Sequence, residues 1–197
     1  NGEIWIETCP HYLTHSIEYN DVKGKVVPPL TTKDDVRSLW DALEKGHIDT
    51  IGTDHVANNI QLKNVDADLW DIRAGFPGIG TMLPVMLSEG VNKRNIDITR
   101  LSELCSYNTA KIFGLLPRKG NIAINSDADL TIVDIDKVQK VTPEILQSFA
   151  DYSIYDGWKL QGWPIMTIVR GCIVMENGVI DDKLIGQGKF VNMQTSV

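Results

Sequence analysis

The most informative segment of the sequence is Ile48-Asp49-Thr50-Ile51-Gly52-Thr53-Asp54-His55, in which a short apolar run ends on a carboxylate and an imidazole. The run Ile48–Thr53 has the length and the β-branched side chains that are typical of a buried strand. The preceding residues predict a helix over Lys33–Lys45, with Thr32 as its N-cap. Ile4-Trp5-Ile6 predicts an earlier strand. The order strand, helix, strand indicates a parallel βαβ unit.

The rest of the chain divides into a helical part and a mostly β part. A loop of low periodicity runs from His55 to Ile79, and long loops in compact domains are often functional. Helical patterns then cover Met82–Gly90, Thr99–Leu104 and Asn108–Phe113, and strand patterns cover Leu130–Val133, Ile165–Val169, Cys172–Met175 and Val179–Ile180. Asn177-Gly178 between apolar runs predicts a hairpin turn. We therefore expect an α/β fold with one domain over residues 1–115 and a second over residues 116–197.

The composition excludes several classes of protein. The net charge of −7 argues against a nucleic-acid binder, and no stretch approaches the ~20 apolar residues that span a bilayer. Cys9, Cys105 and Cys172 fit neither a disulfide framework nor a C-x-x-C metal site. Free thiols predict a reducing compartment, and hence a cytoplasmic protein. Because the chain starts without Met inside a strand-like run, we expect that the natural N-terminus lies further upstream.

Asp54 is the first candidate for a catalytic residue. In a parallel α/β barrel, the C-terminal ends of the strands carry the catalytic groups, and Asp54 follows a predicted strand directly. A carboxylate there can bind a metal and accept a proton from water, and the neighbouring His55 can donate a hydrogen bond to a substrate carbonyl. The alternative is that Asp54 only caps a turn, since Asp is common after strands.

Nine segments in a fixed order extend the interpretation beyond Asp54. The sequence resembles the cyclic amidohydrolases, which comprise dihydroorotase, dihydropyrimidinase (hydantoinase) and allantoinase. Each motif is weak alone, but together they cover nearly the whole chain. They are Glu7–Leu13, Val27–Leu30, Gly52–His55, Gly75–Ile79, Asn108–Leu115, Pro117–Gly120, Ser126–Leu130, Tyr155–Trp158 and Val169–Gly171.

The resemblance implies the architecture and the cofactor. Members of this family have a (β/α)8 barrel with a small β-sandwich beside it, and two divalent metals, usually zinc, at the mouth of the barrel. Residues 1–115 would supply the last two barrel strands and the closing helices, and residues 116–197 would supply part of the sandwich and a tail. Members of the family commonly form homo-oligomers, which we expect of the full-length protein. Neither a nucleic acid nor a membrane is an expected partner.

The resemblance also implies roles for individual residues. Asp54 would ligate one metal, accept the proton of the metal-bound hydroxide that attacks the ring amide, and deliver it to the leaving nitrogen. Val27 lies in one strip, whose backbone contacts the substrate ring, and Ala74 and Gly75 lie in a second strip, the loop that closes over the ring. For both strips the alternative is that these residues only form ordinary turns. His11 is not one of the metal-binding histidines of the family and is expected to be structural, whereas His15 and His47 are expected at the surface.

Two departures from the family pattern concern the substrate. Dihydroorotases usually carry an Arg where Thr31 stands, and a second His where Asn58 stands, four residues after Asp54. Both changes remove a cationic or strongly donating group from the site of the orotate carboxylate. Asn58 remains a candidate substrate contact, but a neutral ring such as a hydantoin or a dihydropyrimidine fits better. Dihydroorotase and allantoinase activities are the alternatives within the family.

Much of the metal site of the family has no counterpart in this chain. The His-x-His pair, the bridging lysine and two later histidines are missing, which leaves Asp54 as the only expected metal ligand. We therefore expect the other ligands in a missing part of the protein, and no activity from this chain alone. A non-catalytic scaffold related to dihydropyrimidinase is the alternative of another class.

Overall fold

The computed structural model describes residues 3–193. The α-helices are α1 (Pro10–Thr14), α2 (Lys33–Glu44), α3 (Ile60–Lys63), α4 (Met82–Val85), α5 (Ile98–Ser102) and α6 (Asn108–Ile112). The strands are β1 (Glu7–Thr8), β2 (Thr50–Ile51), β3 (Leu130–Lys140), β4 (Lys159–Val169), β5 (Cys172–Glu176) and β6 (Val179–Ile180). Short 3₁₀ turns occupy Val22–Gly24, Pro143–Leu146 and Asp182–Leu184. Within residues 3–193, no helix combines the length and the apolar character needed to cross a membrane.

The parallel βαβ unit is confirmed, although its strands are shorter than predicted. β1 pairs in parallel with β2, and α2 lies between them in the chain. The first strand begins at Glu7, after the predicted run, in which Ile4 and Ile6 are exposed. Ile6 contacts Asp49 at the foot of the pair, where its N–H donates to the Asp49 carboxylate and its carbonyl accepts from the Asp49 N–H. At the other end of β2, the strand is followed directly by Gly52–His55.

Helix α2 forms as local sequence signals predict. The Thr32 hydroxyl accepts from the Asp35 N–H, and the Asp35 carboxylate accepts from the Thr32 N–H, which completes a capping box. The helix ends at Glu44, and Trp40 and Leu43 form its buried face. The Trp40 indole N–H donates to the carbonyl of Leu13 in α1, which ties the two helices together.

Two longer helical stretches contain π-helical turns. Met86–Asn92 continues α4, and Glu103–Tyr107 joins α5 to α6 without a break. The helical patterns predicted over Thr99–Leu104 and Asn108–Phe113 are therefore confirmed, but the residues between them are helical as well. A π turn inserts an extra residue and shifts the apolar spacing, so one helix has the sequence pattern of two.

The second sheet is antiparallel, with strand order β3-β4-β5-β6. Its two tight hairpins turn at Arg170-Gly171 and Asn177-Gly178, and all four residues have positive φ. The predicted Asn-Gly hairpin is confirmed, because type I′ turns require this conformation at both central residues. Strand β3 extends seven residues beyond the predicted Leu130–Val133. An irregularity in its register between Asp134 and Val138 interrupts the alternation that would have revealed it.

Two apolar cores hold these elements together. The first packs α1 and α2 against β2 and the helical stretches, and its buried members are Leu13, Trp40, Leu43, Ile48, Ile51, Met86, Leu87, Ile96, Leu101 and Leu104. The second combines Val26, Phe76 and Val85 with residues of the later segment, namely Val141, Tyr152, Ile154, Tyr155, Leu160 and Trp163. The second core therefore spans the predicted boundary between residues 115 and 116, and the division into two domains stays a prediction.

Candidate active site

Asp54 lies just beyond the C-terminal end of β2. Its backbone has a φ of 46°, in the left-handed region, and its side chain is 46% exposed. Among residues 3–193, no group donates a hydrogen bond to its carboxylate, and the nearest basic atom is His11 Nε2, 3.9 Å from Oδ2. The carboxylate is thus open to an external ligand, as a metal-binding or proton-accepting role requires.

His11 is a buried neighbour of Asp54. Its ring is almost fully buried and packs edge-on against Phe76, with 4.9 Å between ring centroids. Burial, assisted by the nearby His15, lowers the pKa of His11 to about 4. The imidazole is therefore neutral at physiological pH, and its Nε2 has no hydrogen-bond partner within the described chain. These contacts suit the predicted structural role.

His15 is buried, and the prediction of a surface position was wrong. Its ring stacks on Trp158 and meets Tyr19 and Tyr155 edge-on. Burial lowers the pKa of His15 to about 4. Tyr155 and Trp158 are about 140 residues away in the chain, so no local pattern could have revealed this environment.

His55 is held in one tautomer by the loop opposite. Its Nδ1 accepts from the Gly78 N–H over 3.0 Å and, more weakly, from the Ile79 N–H over 3.4 Å. His55 also forms an isolated parallel β-bridge with Phe76, and the Phe76 carbonyl accepts from the Val56 N–H. Because Nδ1 accepts, the proton of the neutral ring lies on Nε2. Nε2 is thus the donor that a contact with a substrate carbonyl would use.

The two predicted substrate strips meet through their backbones. The Gly75 N–H donates to the Lys25 carbonyl over 2.9 Å, two residues before Val27. Val27 and Ala74 are exposed, whereas Gly75 is buried with a φ of 91°. A Cβ on Gly75 would lie 2.4 Å from Val56 Cγ2, so only glycine fits this position without displacement. The structure therefore brings Val27, Ala74 and Gly75 into adjacent strips.

Asn58 has an internal partner that sequence reasoning missed. Its side chain is buried, and its Oδ1 accepts from the Tyr152 hydroxyl over 2.6 Å. Tyr152 is 94 residues further along the chain and carries no local signal of this contact. A substrate contact by Asn58 stays a prediction. Such a contact would use the amide nitrogen of Asn58, while Oδ1 keeps its bond to the Tyr152 hydroxyl.

Cys9, which follows β1, carries a thiol whose acidity is reduced by its surroundings near Asp54. Burial raises the pKa of its thiol to about 12, with further contributions from the charges of Asp54 and Glu7. The thiol is therefore protonated at neutral pH. All three cysteines are free.

A metal ion would find one open ligand here. Within residues 3–193, no group of three or more His, Cys, Asp and Glu residues is placed to hold a metal. The Asp54 carboxylate is a hard oxygen donor without a competing protein partner, so it fits a divalent cation as a single ligand.

Sequence comparison identifies related proteins over most of the chain. A profile described as the Amidohydrolase family matches residues 7–174. An L-hydantoinase of Paenarthrobacter aurescens is 37% identical over 190 residues, which cover 94% of this chain and 41% of that protein. A D-phenylhydantoinase of Escherichia coli O1:K1 / APEC is 33% identical over 202 residues, which cover 98% of this chain and 43% of that protein.

Solved structures agree with these relatives. An L-hydantoinase (dihydropyrimidinase) from Arthrobacter aurescens superposes with a TM-score of 0.85 and 38% identity, over 89% of this chain and 40% of that one. A D-hydantoinase crystal structure gives a TM-score of 0.85 and 32% identity, over 90% and 40%. The chain spans about two fifths of the length of the relatives that it matches. On this sequence and structural similarity, the chain belongs to the amidohydrolase family.

Proposed function

We propose that this chain is part of a metal-dependent amidohydrolase that hydrolyses the C–N amide bond of a hydantoin-like or dihydropyrimidine-like ring. The observation that carries the proposal is the open carboxylate of Asp54, placed at the end of a parallel strand and beside His55. The relatives named as hydantoinases support this class of substrate. Neither a scaffold nor a structural domain needs an unpaired carboxylate at this position.

The proposed architecture follows the family resemblance. β1 and β2 would be the last two strands of a (β/α)8 barrel, and β3–β6 would belong to a small β-sandwich beside it. The parallel pairing and the crossover helix α2 support the first part, and the antiparallel hairpins support the second. We also propose that the complete protein is a homo-oligomer.

The proposed cofactor is a divalent metal, with zinc favoured by the resemblance, and Asp54 would be one of its ligands. When bound, such a metal acts as a Lewis acid that activates water and polarises the amide carbonyl. The family resemblance would supply the other ligands from outside the described residues, since residues 3–193 contain no group of three or more His, Cys, Asp and Glu residues placed to hold a metal.

The residues of this chain would perform the proton transfer and hold the ring. Asp54 accepts the proton of the attacking water and donates it to the ring nitrogen as the C–N bond breaks. His55 Nε2–H donates to a ring carbonyl, an orientation that the Gly78 N–H enforces through Nδ1. Backbone groups near Val27 and Ala74 bind the edges of the ring, because both positions are exposed.

The substrate class is tested by a turnover assay of the complete metal-loaded protein with hydantoin, dihydrouracil and dihydroorotate. Thr31 and Asn58 offer no cation to a carboxylate, so we expect kcat/KM for the neutral rings to exceed that for dihydroorotate by about tenfold or more. A preference for dihydroorotate would contradict the substrate assignment. No turnover of any ring would favour the non-catalytic scaffold.

Replacing His55 by Asn separates its two proposed roles. The Asn Oδ1 can still accept from the Gly78 N–H, but the donor at the Nε2 position is lost. We expect kcat/KM to fall about 10²-fold while thermal stability is nearly unchanged. His55→Gln is the matched variant, since its amide reaches the Nε2 position but cannot accept at Nδ1. Wild-type kcat/KM in His55→Asn would exclude His55 as a substrate donor.

A further inference from the structure

Lys63 is a buried ammonium group whose partners are backbone carbonyls. It ends α3 and has no exposed surface. Its Nζ donates to the carbonyl of Lys25 over 3.0 Å and to that of Gly75 over 2.6 Å. Within the described chain, no carboxylate lies within 4.0 Å of it. A buried charge without an ion-pair partner is costly, so these contacts need a reason beyond packing.

The two carbonyls belong to the two predicted substrate strips. Lys25 precedes Val27 by two residues, and Gly75 follows Ala74 directly. The same Lys25 carbonyl also accepts from the Gly75 N–H over 2.9 Å. The Lys63 ammonium additionally lies 5.8 Å from the centre of the Phe76 ring, within range of a cation–π interaction. One side chain thus bridges both strips.

The loop between α3 and Ala74 is held by the backbone of Lys63 and by the side chain of Lys25. The Lys63 carbonyl accepts from the Arg73 N–H over 3.0 Å, which closes the loop at its base. Inside the loop, Lys25 Nζ donates to the carbonyls of Leu69 and Ile72. Lys63 therefore connects to the strips through its ammonium and to the loop through its backbone.

We propose that Lys63 is a positioning residue that sets the separation of the two backbone strips, and thereby the affinity for the substrate ring. The inference rests on the proposed function, because it requires the strips to bind the ring. Backbone recognition needs placement within a fraction of an ångström, and a rigid bridge between two carbonyls provides it. Lys63 itself is fully buried and would not contact the substrate.

The test uses the complete metal-loaded enzyme and its best ring substrate from the turnover assay. In Lys63→Met we expect KM to rise about tenfold or more while kcat changes by less than about threefold, because the strips bind ground state and transition state alike. The metal content should be unchanged. Lys23→Met is the matched control, because the Lys23 side chain is half-exposed and, among residues 3–193, its ammonium pairs only with Asp21; its KM should equal that of the wild type.

Lys63→Gln is the second variant, because its amide retains one donor. We expect an intermediate KM, together with faster hydrogen exchange of the Gly75 amide than in the wild type. An unchanged KM in folded Lys63→Met, with an active wild type, would overturn the proposal. If neither variant accumulates as folded protein, Lys63 serves the whole fold and the proposal is also overturned. An inactive wild type would instead refute the proposed function.

Discussion

Asp54→Asn in the complete enzyme is expected to lower kcat by about 10³-fold or more. An amide cannot accept the proton of the attacking water, and it is a much weaker metal ligand than a carboxylate. The fold should be unaffected, because Asn tolerates the left-handed backbone that Asp54 adopts with a φ of 46°. Steady-state kinetics and the thermal unfolding midpoint measure the two effects separately.

Asp49→Asn is the matched control for Asp54. Asp49 lies at the opposite end of the same strand, and its carboxylate accepts from the Ile6 N–H, a contact that the Asn oxygen can replace. We expect its kcat to remain at the wild-type value. A folded Asp54→Asn enzyme with more than a tenth of the wild-type kcat would exclude Asp54 as the proton acceptor.

Gly75→Ala is expected to destabilise the protein by about 3 kcal/mol, from a combination of backbone strain and overpacking. The new Cβ would meet Val56 Cγ2 at 2.4 Å, and the φ of 91° is unfavourable for any residue with a side chain. The displaced loop should also raise KM, because Gly75 joins the two strips. Denaturant unfolding measures the loss of stability.

Gly46→Ala separates strain from steric conflict. Gly46 has a φ of 78°, but a Cβ there would meet no atom within 4 Å. We expect it to cost only about 1 kcal/mol, the strain alone. Val56→Ala should restore part of the stability of Gly75→Ala by removing the nearest methyl group. Equal losses in Gly75→Ala and Gly46→Ala would show that the contact with Val56 is unimportant.

Elements with local signals were predictable from the sequence. The capping box at Thr32 determines where α2 begins, and Asn177-Gly178 determines a hairpin, because both depend on neighbouring residues alone. The first strand was misplaced by a few residues because pairing with β2 selects Glu7–Thr8 rather than the more apolar run before it. Propensity is a weak guide when tertiary pairing decides the register.

Asp54 and His55 are candidates because they follow a strand, and the family resemblance adds Gly75; the roles of all three stay predictions. The structure pairs the segment of His55 with that of Phe76, which follows Gly75. The partners of Lys63 and Asn58 could not be predicted from the sequence, because Lys63 bonds carbonyls that carry no side-chain identity and Asn58 meets Tyr152 across 94 residues. Such contacts arise from tertiary packing, which no local pattern encodes.

Metal-dependent ring opening is the most direct test of the account. The complete protein would be stripped of metal with a chelator, and hydantoin or dihydrouracil hydrolysis would then be measured as zinc is returned. We predict that turnover disappears on chelation and recovers in proportion to the bound metal in the wild type, but not in Asp54→Asn. Turnover that persists without metal, or a fully metal-loaded wild type that opens neither ring, would contradict the account.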